Sequence, residues 1–472
     1  MSAEPLAQGA PARGSAIDVF DPRDGSVLAT VPSASPAEVE RALSAARAAQ
    51  PGWARTTPME RGALIRGLAD VIADHREHLA QLLCREVGKP LTQARDEIDF
   101  AESYLRYNAE WDRRLEGEIL PGDVPGEQIH LLRVPVGVVV AICPWNFPLA
   151  VLCRKIGPAL VTGNTVVIKP SEITPLTTQE LFRLAEGRVA FPEGVVNLVY
   201  GGRETGQALV DSPLASLISF TGHRDTGKEV MVRAAEHLTR VSLELGGKAP
   251  AIVWRDADMD VAVPAIVSAR HTNAGQVCTS AERVLVHNDV LEDFTERYVA
   301  AVEALEVGDP MADADVGPLA SEAQLAKTRA ALDGALAEGA RVVGQAAVEA
   351  DGGGYWHAPT VLRDVEPGMA IMVEETFGPI TPIVGFDSLD EALALANDSR
   401  YGLSAYLFSR DYPTIMRAVD ELDSGEIYIN RTLGESVHAH HTGYKESGIG
   451  GEDGKWGLLR YTQVKTAYHH HG

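Results

Sequence analysis

Five short apolar runs in the middle of the chain constrain its fold more than any other feature. An uninterrupted apolar run of this length is typical of a strand that is buried on both faces of a sheet. The runs are Val138–Ile142, Thr165–Lys169, Val195–Tyr200, Leu217–Phe220 and Val241–Leu245. Helical patterns separate most of them, at Leu149–Leu160, Thr178–Glu186 and Thr226–Ala235. Strands that alternate with helices predict an α/β fold with a parallel, doubly wound sheet and right-handed crossovers.

A second series of the same kind begins at Ala251 and predicts a second α/β domain. Its strands are Ala251–Trp254, Val284–His287 and Arg341–Val343. A length of 472 residues agrees with two or three domains. Helices are predicted before the first series, from the capping box at Ser35 to Ala49, and near Met59–Val87 and Leu91–Glu116.

The segment between the helices and the first apolar run has the composition of a turn-rich hairpin. Gly117–Arg133 carries Pro121, Gly122, Pro125 and Gly126 within a few residues of one another. Prolines and glycines of this density interrupt a core strand. We therefore expect a hairpin that projects from the domain.

The net charge and the cysteine pattern limit the function classes. The formal net charge of −24 argues against a nucleic-acid partner, since no basic surface offsets it. Met1–Ala16, a predicted disordered tip, lacks the features of a signal peptide, and no span of about 20 apolar residues suits a membrane. The scattered cysteines indicate neither a disulfide framework nor a zinc site (Cys84, Cys143, Cys153 and Cys278). A cytoplasmic protein without a membrane partner is expected.

Cys278 ends the small and polar stretch Asn273–Cys278, which lies between a predicted helix and a predicted strand at Arg283–His287. A thiol in such a loop is a candidate nucleophile. Free cysteine is also among the most commonly buried residue types, so a structural thiol is the alternative. Partners from elsewhere in the chain have to decide between the two.

Candidate partners follow the predicted strands, at the edge where a doubly wound sheet binds its ligands. Asn146 offers an amide to an oxyanion, or is a turn residue between prolines. Glu172 offers a carboxylate to ribose hydroxyls, or is a solvated loop charge. Glu244 is a general base whose pKa burial would raise, or part of a salt bridge. Gly222 and Gly227 open a helix whose free N–H groups favour phosphate.

Together these pieces resemble the aldehyde dehydrogenase superfamily over nearly the whole chain from about Ile17. The motifs occur in the order and at the spacing of that family: Pro144–Pro148, Lys169–Glu172, Phe220–Gly227, Leu243–Lys248, Gly275–Cys278, Glu374–Pro379 and Ser447–Gly454. The resemblance implies a Rossmann-like, parallel-sheet cofactor domain at 1–117 and 136–246, with 448–460 packing back on it. It also implies an α/β catalytic domain at 247–447. A β-hairpin arm at 118–135 and 461–472 would build a homodimer or homotetramer.

The resemblance implies roles for five catalytic residues. Cys278 matches the nucleophile that attacks the aldehyde. The Asn146 amide and the backbone N–H of Cys278 match the donors to the resulting oxyanion. Glu244 matches the base that activates water to hydrolyse the thioester. Lys155 and Glu452 match a proton relay.

A cofactor groove is implied by the same resemblance. Its residues are Ile142, Trp145, Lys169, Ser171, Glu172, Gly202, Gly222, Leu245, Glu375 and Phe377. Glu172 favours NAD, because a carboxylate repels a 2′-phosphate, while NADP stays open. One position departs from the family. A serine usually follows Phe-Thr-Gly and touches the pyrophosphate, whereas this chain has His223, so that hydroxyl contact is lost.

Within the superfamily the chain most resembles the bacterial lactaldehyde (glycolaldehyde) dehydrogenases, through strings such as Ala109–Trp111, Glu116–Ile119 and Ile429–Arg431. This resemblance implies NAD-dependent oxidation of a small polar aldehyde to its acid. The pocket would be lined by Phe147, Arg154, Thr279, Glu435 and His441. Buried polar groups disfavour plain alkyl aldehydes, because such substrates leave them unpaired.

Arg154 also fits an acidic substrate such as succinate semialdehyde, since a single arginine binds a carboxylate bidentately. Dehydrogenases for that substrate typically carry a second arginine six residues before the nucleophile. This chain has Thr272 there. An acidic semialdehyde is therefore the alternative substrate.

Three other functions and a metal site agree less well with the residues of this chain. An acylating enzyme that uses coenzyme A has no need of the base Glu244, and a non-enzymatic relative has no need of the catalytic set. A Cys–His hydrolase would need a histidine such as His271, which has no matching motif. The histidines at His438–His441 and His469–His471 are not expected to form a functional metal site, and the second group also fits an expression tag.

Overall fold

The computed structural model describes residues 16–348 and 353–472; the predicted disordered tip, apart from Ala16, lies outside them. The strands are β1 (Ala16–Phe20), β2 (Val27–Pro32), β3 (Glu118–Pro121), β4 (Glu127–Pro135), β5 (Val138–Ile142), β6 (Thr165–Lys169), β7 (Val196–Leu198), β8 (Leu217–Thr221), β9 (Arg240–Glu244), β10 (Ala249–Val253), β11 (Ala281–His287), β12 (Arg341–Gln345), β13 (Thr360–Arg363), β14 (Ile380–Phe386), β15 (Tyr401–Gly402), β16 (Ser404–Phe408), β17 (Glu426–Ile429), β18 (Tyr444–Lys445), β19 (Gly448–Ile449) and β20 (Thr462–His470).

The helices lie mainly between these strands and before β3. They are α1 (Pro36–Arg55), α2 (Pro58–Asp74), α3 (Arg76–Val87), α4 (Leu91–Ala109), α5 (Pro148–Val161), α6 (Leu176–Ala185), α7 (Arg203–Val210), α8 (Arg224–Ala234), α9 (Met259–His271), α10 (Leu291–Glu303), α11 (Glu322–Ala337), α12 (Ala370–Val373), α13 (Leu389–Asn397), α14 (Tyr412–Glu421) and α15 (Gly454–Leu459). None of the helices in the described part of the chain combines the length and the apolar composition needed to span a bilayer.

The first sheet has the strand order β19-β9-β8-β5-β6-β7 and is parallel apart from β19. Both faces of β5 are buried: Val139 and Ala141 pack into one cluster, and Val138 and Val140 into another. The predicted α/β fold with a doubly wound parallel sheet is confirmed. Ile142 pairs with both Lys169 and Phe220 in register, so β5, β6 and β8 end at the same level.

The second sheet has the order β12-β13-β14-β11-β10-β16-β17, and only β12 runs antiparallel. Its two faces bury separate clusters, one around Ile252 and Leu285 and one around Val253 and Val284. Sequence and structure agree that a second parallel series begins near Ala251. The strands β9 and β10 belong to different sheets although only residues 245–248 separate them.

A third sheet, β20-β4-β3, is antiparallel. The hairpin predicted at Gly117–Arg133 is present as β3 and β4, and β20 continues along β4 from Thr462 to His470. Large apolar side chains on this sheet are exposed: Ile119, Leu132, Val464 and Tyr468.

The helical part differs from the sequence prediction at three points. Met59–Val87 was expected as one helix, but the backbone breaks at His75 (φ −116°, ψ 21°) and α3 begins there. The helix expected to end at Glu116 ends at Ala109 and continues as a 3₁₀ turn. The helix α1 passes Pro51 and ends at Arg55, because Trp53 in its last turn is buried in the core.

Candidate active site

A cavity of about 920 Å³ lies between the carboxyl ends of the first sheet's strands and the second sheet. Most residues that the sequence singled out line it: Ile142, Trp145, Asn146, Phe147, Arg154, Lys169, Ser171, Glu172, Gly202, Gly222, Glu244, Leu245, Cys278, Thr279, Glu375, Phe377, Glu435 and His441. Lys155 and Glu452 are buried behind its wall and do not line it. The cavity has a volume typical of a cleft that binds a small molecule.

The loop before Cys278 has an unusual backbone. Asn273 and Ala274 adopt positive φ angles of 50° and 54°, a conformation that costs non-glycine residues free energy. Gly275 follows with φ 77°, and a Cβ there would meet the carbonyl of Gly378 at 2.9 Å. This turn leaves Cys278 partly exposed in the cavity, whereas the other three cysteines are buried.

Asn146 is held at this loop through its side-chain amide and its backbone carbonyl. Its side-chain amide donates to the carbonyl of Gln276 at 3.0 Å, which leaves the second amide hydrogen for another acceptor. Its own carbonyl accepts from Lys89 Nζ at 2.8 Å and from Asn273 Nδ2 at 3.2 Å. The buried Lys89 also pairs with Glu97 at 2.5 Å. The structure thus places an amide donor beside the thiol loop.

The carboxyl group of Glu244 lies at the end of β9 without a hydrogen-bond partner on either oxygen. Burial raises its pKa to about 8. The nearest cationic group is the His441 imidazole, with Nε2 at 3.8 Å from Oε2. A carboxyl group in this state is mostly protonated at neutral pH and becomes a base for a water molecule as the pH rises through about 8.

Lys155 and Glu452, expected as a proton relay, lie 2.6 Å apart. Ser219 joins them, since it accepts from Lys155 at 3.0 Å and donates to Glu452 at 3.2 Å. Burial opposes the charged carboxylate, yet the positive charges of Lys155 and Arg154 keep the pKa of Glu452 below its usual range. The pair is a buried ion-pair contact behind the cavity wall.

The part of the cavity lined by Lys169, Glu172 and Gly222, which we call the far end, has groups that suit a dinucleotide. Lys169 ends β6 with its ammonium 3.3 Å from Glu172, whose carboxylate is half exposed. His223 is the N-cap of α8, and its Nδ1 accepts the N–H of Asp225 at 3.2 Å, so the imidazole caps the helix. Hydroxyl-binding carboxylates and free N–H groups at a helix start fit ribose and pyrophosphate.

Glu375 and Phe377 lie on a loop that faces the end of β9. Glu375 accepts the N–H of Gly247 at 2.8 Å, and burial raises its pKa to about 7. A Cβ on Gly246 would lie 2.5 Å from the Glu375 carboxylate and would displace it from this position. The ring of Phe377 meets Trp145 edge to face at 5.4 Å between centroids.

Glu282, which the sequence analysis did not single out, holds this loop in place. Its carboxylate accepts the N–H of Phe377 at 2.7 Å and of Thr376 at 2.9 Å. Lys248 pairs with it at 2.6 Å in the protein interior. Glu282 lies four residues after Cys278 on β11, and nothing in the local pattern of a buried strand indicates such a role.

The part of the cavity lined by Arg154, Glu435 and His441 is called the near end. Here the Arg154 guanidinium is already paired with other protein groups. Its Nε donates to the hydroxyl of Tyr104 at 2.9 Å, and its Nη2 lies 2.9 Å from Asp453 Oδ2. Tyr104 in turn donates to Asp453 at 3.1 Å. Neither Tyr104 nor Asp453 was singled out from the sequence, although Asp453 lies within one of the matching strings.

His441 forms the opposite part of this wall. Its Nδ1 lies 3.2 Å from Glu426 and 3.8 Å from Glu435. Glu426 begins β17 and was also missed, since a carboxylate at a strand start has the sequence pattern of a solvated charge. Phe147 lies beneath the Lys89 ammonium at 3.7 Å, and the Thr279 carbonyl accepts from Tyr406 at 2.6 Å.

The remaining histidines do not gather in the cavity. In the run His438–His441, the His440 ring contacts the carbonyl of Glu452 at 3.0 Å, while His441 lines the same cavity as Cys278. His469 packs against His130 in the third sheet, with ring centroids 4.2 Å apart and the rings tilted by 39°. His271 is buried outside the Cys278 cavity, and burial lowers its pKa to about 3. The structure therefore gives His271 no contact with the thiol.

Comparisons with known proteins agree with this geometry. Residues 10–467 match the model of the aldehyde dehydrogenase family. Lactaldehyde dehydrogenase of Escherichia coli (strain K12) is 43% identical, covering 97% of this chain and 96% of that protein. The 3,6-anhydro-alpha-L-galactose dehydrogenase of Vibrio sp. (strain EJY3) is 42% identical and covers 96% of each chain.

The same holds for solved structures. A crystal structure of lactaldehyde dehydrogenase from Escherichia coli superposes with a TM-score of 0.95, at 42% identity and 97% coverage of both chains. Family model, sequence relatives and fold agree over almost the entire chain. The protein belongs to the aldehyde dehydrogenase family and is an oxidoreductase that acts on aldehydes with NAD or NADP.

Proposed function

We propose that this protein oxidises a small, uncharged, hydroxylated aldehyde of the lactaldehyde or glycolaldehyde type to its carboxylic acid, with NAD. The observation that carries the proposal is the pairing of Arg154. Its charge is already matched by Asp453 at 2.9 Å, with Glu452 at 3.9 Å. The near end of the cavity is therefore polar without offering an unmatched positive charge.

A substrate carboxylate would meet repulsion at this end. Glu435 lines the cavity, Glu426 lies next to His441, and Thr272 supplies no second guanidinium. A hydroxyl group, by contrast, both donates and accepts, so it pairs with the Arg154 and Glu435 side chains without adding charge. This arrangement favours a hydroxyaldehyde over succinate semialdehyde, which is the alternative.

Chemically, the thiolate of Cys278 adds to the aldehyde carbonyl to form a thiohemiacetal. The amide of Asn146 and the backbone N–H of Cys278 stabilise its oxyanion, and one such donor contributes about 3–4 kcal/mol to the transition state. The cofactor, when bound, supplies the acceptor for the hydride that leaves this carbon. Glu244 then takes a proton from water, which attacks the Cys278 thioester and releases the acid.

The cofactor end supports NAD over NADP. Lys169 and Glu172 would bind the adenosine ribose, and Glu375 with Phe377 the nicotinamide ribose. The half-exposed carboxylate of Glu172 suits two free hydroxyls and repels a 2′-phosphate. Ile142, Trp145, Ser171, Gly202, Gly222 and Leu245 would complete the groove.

We also propose that the third sheet is an oligomerisation arm. Ile119, Leu132, Val464 and Tyr468 expose apolar surface on an edge-bearing, three-stranded sheet, which is costly for an isolated chain. A homodimer or homotetramer built through residues 118–135 and 461–472 would cover it. Sedimentation equilibrium should report at least a dimer.

Initial rates with matched aldehydes test the substrate. Glycolaldehyde and acetaldehyde differ by one hydroxyl, and kcat/KM should favour glycolaldehyde by about tenfold or more, because a site that hydrogen-bonds a hydroxyl discriminates against its absence. Lactaldehyde should behave like glycolaldehyde. Succinate semialdehyde should be slower than either, and NAD should give a higher kcat/KM than NADP.

Two results would contradict the proposal. Preference for acetaldehyde removes the polar-pocket argument, and preference for succinate semialdehyde assigns the alternative substrate. A Cys278→Ala variant serves as the control for chemistry. If it reduces NAD as fast as the parent, the mechanism is wrong whatever the substrate.

A further inference from the structure

Two buried charged residues beside the thiol loop, Lys89 and Glu97, have no part in the proposed mechanism. The Lys89 ammonium lies 2.5 Å from Glu97 Oε2, and neither side chain is exposed to solvent. Lys89 directly precedes the first turn of α4, and Glu97 lies within that helix. A buried ion pair contributes little net stability by itself, because the cost of removing both charges from water offsets their attraction. The contacts that the pair makes with its neighbours are therefore more informative.

The Lys89 ammonium fixes the residue that carries the proposed oxyanion donor. Its Nζ donates to the backbone carbonyl of Asn146 at 2.8 Å and lies 3.7 Å from the centroid of the Phe147 ring. A second donor to the same carbonyl, Asn273 Nδ2 at 3.2 Å, comes from the loop before Cys278. The peptide group after Asn146 is thus held both from the side of α4 and from the side of the thiol loop.

Glu97 fixes the chain just after Asn146. Its Oε1 accepts the N–H groups of Leu149 at 3.0 Å and of Ala150 at 3.2 Å, in the first turn of α5. These N–H groups have no partner within their helix, and the N-cap residue Phe147 supplies no side-chain acceptor. Glu97 therefore caps α5 from α4, next to the turn that carries Asn146.

We propose that Lys89 and Glu97 are positioning residues for the Asn146 amide. They set its place relative to the sulfur of Cys278. The proposal rests on Asn146 being an oxyanion donor in the proposed function and goes further, since it names the groups that hold that donor. The amide already donates one hydrogen to the Gln276 carbonyl at 3.0 Å, so the second hydrogen is the one left for the oxyanion. A misplacement of about 1 Å lowers a rate by about 10²-fold, so a small shift of this amide matters.

Two reactions of the same thiol separate this role from a general support of the thiol loop. Addition of Cys278 to an aldehyde forms an oxyanion and therefore depends on the Asn146 amide. Displacement of iodide from iodoacetamide by the same thiolate forms no oxyanion. Loss of positioning should slow the first reaction and leave the second unchanged, whereas a distorted thiol loop would alter both.

The full-length variants Lys89→Met and Lys89→Met/Glu97→Gln test the proposal. Single turnovers, with protein and NAD in excess over the aldehyde that the parent prefers, are followed by stopped-flow absorbance. The rate constant for formation of reduced cofactor should fall by about tenfold or more in both variants. Alkylation of Cys278 by iodoacetamide, followed by mass spectrometry, should change by less than about twofold. The double variant leaves neither charge buried without its partner, so it should fold even if the single variant does not.

Glu86→Gln is the matched control for the change at Glu97. Glu86 is also buried and caps a neighbouring helix, since it accepts the N–H groups of Leu176 at 2.7 Å and Thr177 at 2.9 Å at the start of α6. It does not line the cavity. All variants are compared at about pH 8.5. Glu86 is then charged, because burial raises its pKa to about 7. Glu86→Gln should lower the unfolding temperature and leave the single-turnover rate constant nearly unchanged.

The Asn146→Ala background shows whether Lys89 acts through the amide. The backbone carbonyl remains in this variant, but no amide is left to position, so adding Lys89→Met should not lower the single-turnover rate further. A further loss of about tenfold would overturn the proposal. An unchanged rate in Lys89→Met/Glu97→Gln would also overturn it, as would a parallel fall in the single-turnover and alkylation rates.

Failure of the proposed function has a different result. If Asn146→Ala alone leaves the single-turnover rate unchanged, Asn146 is not an oxyanion donor, and both the proposed mechanism and the positioning role are wrong. If Asn146→Ala lowers the rate and the Lys89 variants do not, the proposed function stands and the positioning role is wrong. Substrate preference does not enter, since each variant is compared with the parent on one aldehyde.

Discussion

The two ends of the cavity are built in different ways. At the proposed cofactor end, the lining residues follow parallel strands, such as Lys169, Glu172 and Gly222. At the substrate end, Arg154 from α5 meets Tyr104 from α4 and Asp453 after β19. The first end depends on short stretches of backbone, the second on side chains that are far apart in sequence. The cofactor end is thus built locally, whereas the proposed substrate end is built by tertiary contacts.

The largest expected effect lies between the two ends, at Glu244. Glu244→Gln should lower the steady-state kcat by about 10²–10³-fold, the lower part of the range for a general base, because the thioester is no longer hydrolysed efficiently. A base acts when deprotonated, so the parent's kcat should rise as pH increases through about 8, the value to which burial raises its pKa. The variant should lack this rise.

Stopped-flow absorbance at 340 nm separates the steps. In Glu244→Gln a burst of reduced cofactor should precede the slow steady state, because Cys278 is still acylated. A variant without a burst would place Glu244 before hydride transfer and not after it.

Asp453→Asn should change substrate choice at the near end. It removes the charge that matches Arg154, and asparagine has nearly the same shape as the aspartate that already adopts this backbone conformation (φ 64°, ψ 161°). The ratio of kcat/KM for succinate semialdehyde to that for glycolaldehyde should rise by about tenfold, as expected for one freed buried cation. The KM for NAD should stay within about twofold.

If Asp453→Asn leaves that ratio unchanged, the pairing of Arg154 does not set the preference between the two aldehydes. Thr272→Arg offers an independent route to the same outcome, because it places a second guanidinium at the cavity mouth. If both variants raise the ratio, the charge at the near end of the cavity is what discriminates between succinate semialdehyde and glycolaldehyde.

Glu282→Gln should produce the smallest effect on turnover, confined to the cofactor end. The charged acceptor for the N–H groups of Thr376 and Phe377 becomes neutral, so the loop with Glu375 is held less firmly. The KM for NAD should rise by about three- to tenfold, with the aldehyde ratio unchanged. Initial rates at varied NAD and saturating aldehyde measure it.

Buried Lys248 loses its partner in this variant, so the unfolding temperature should also fall. If Glu282→Gln altered the preference between aldehydes as much as Asp453→Asn did, the two ends would not be separable. That outcome would show that the cofactor end and the substrate end of the cavity do not act independently.

Much of the fold followed from the sequence. The five apolar runs at 138–245 became strands with boundaries shifted by at most two residues, because burial on both faces demands continuous apolar side chains. The prediction failed where local pattern and packing disagree. His75 breaks a continuous helical pattern, and the hairpin of β1 and β2, with mostly exposed residues, was not anticipated.

The cavity was predictable in part. Cys278, Asn146 and Glu244 each follow or end a recognisable element, and the structure brings all three to one cavity. Glu282 and Glu426 were missed. A carboxylate in a strand has no pattern that distinguishes a buried acceptor of backbone N–H groups from a surface charge, so only the neighbours reveal it.

By itself, the sequence determined the parallel α/β architecture, the position of the thiol loop and the family to which the protein belongs, because periodicity and contiguous motifs encode these features. Only the tertiary structure decided the charge state of the pocket. Whether Arg154 is free or matched, and whether His441 has a carboxylate at its Nδ1, depends on residues up to 299 positions apart. Electrostatic energy depends on distance in space, and separation along the chain does not report it.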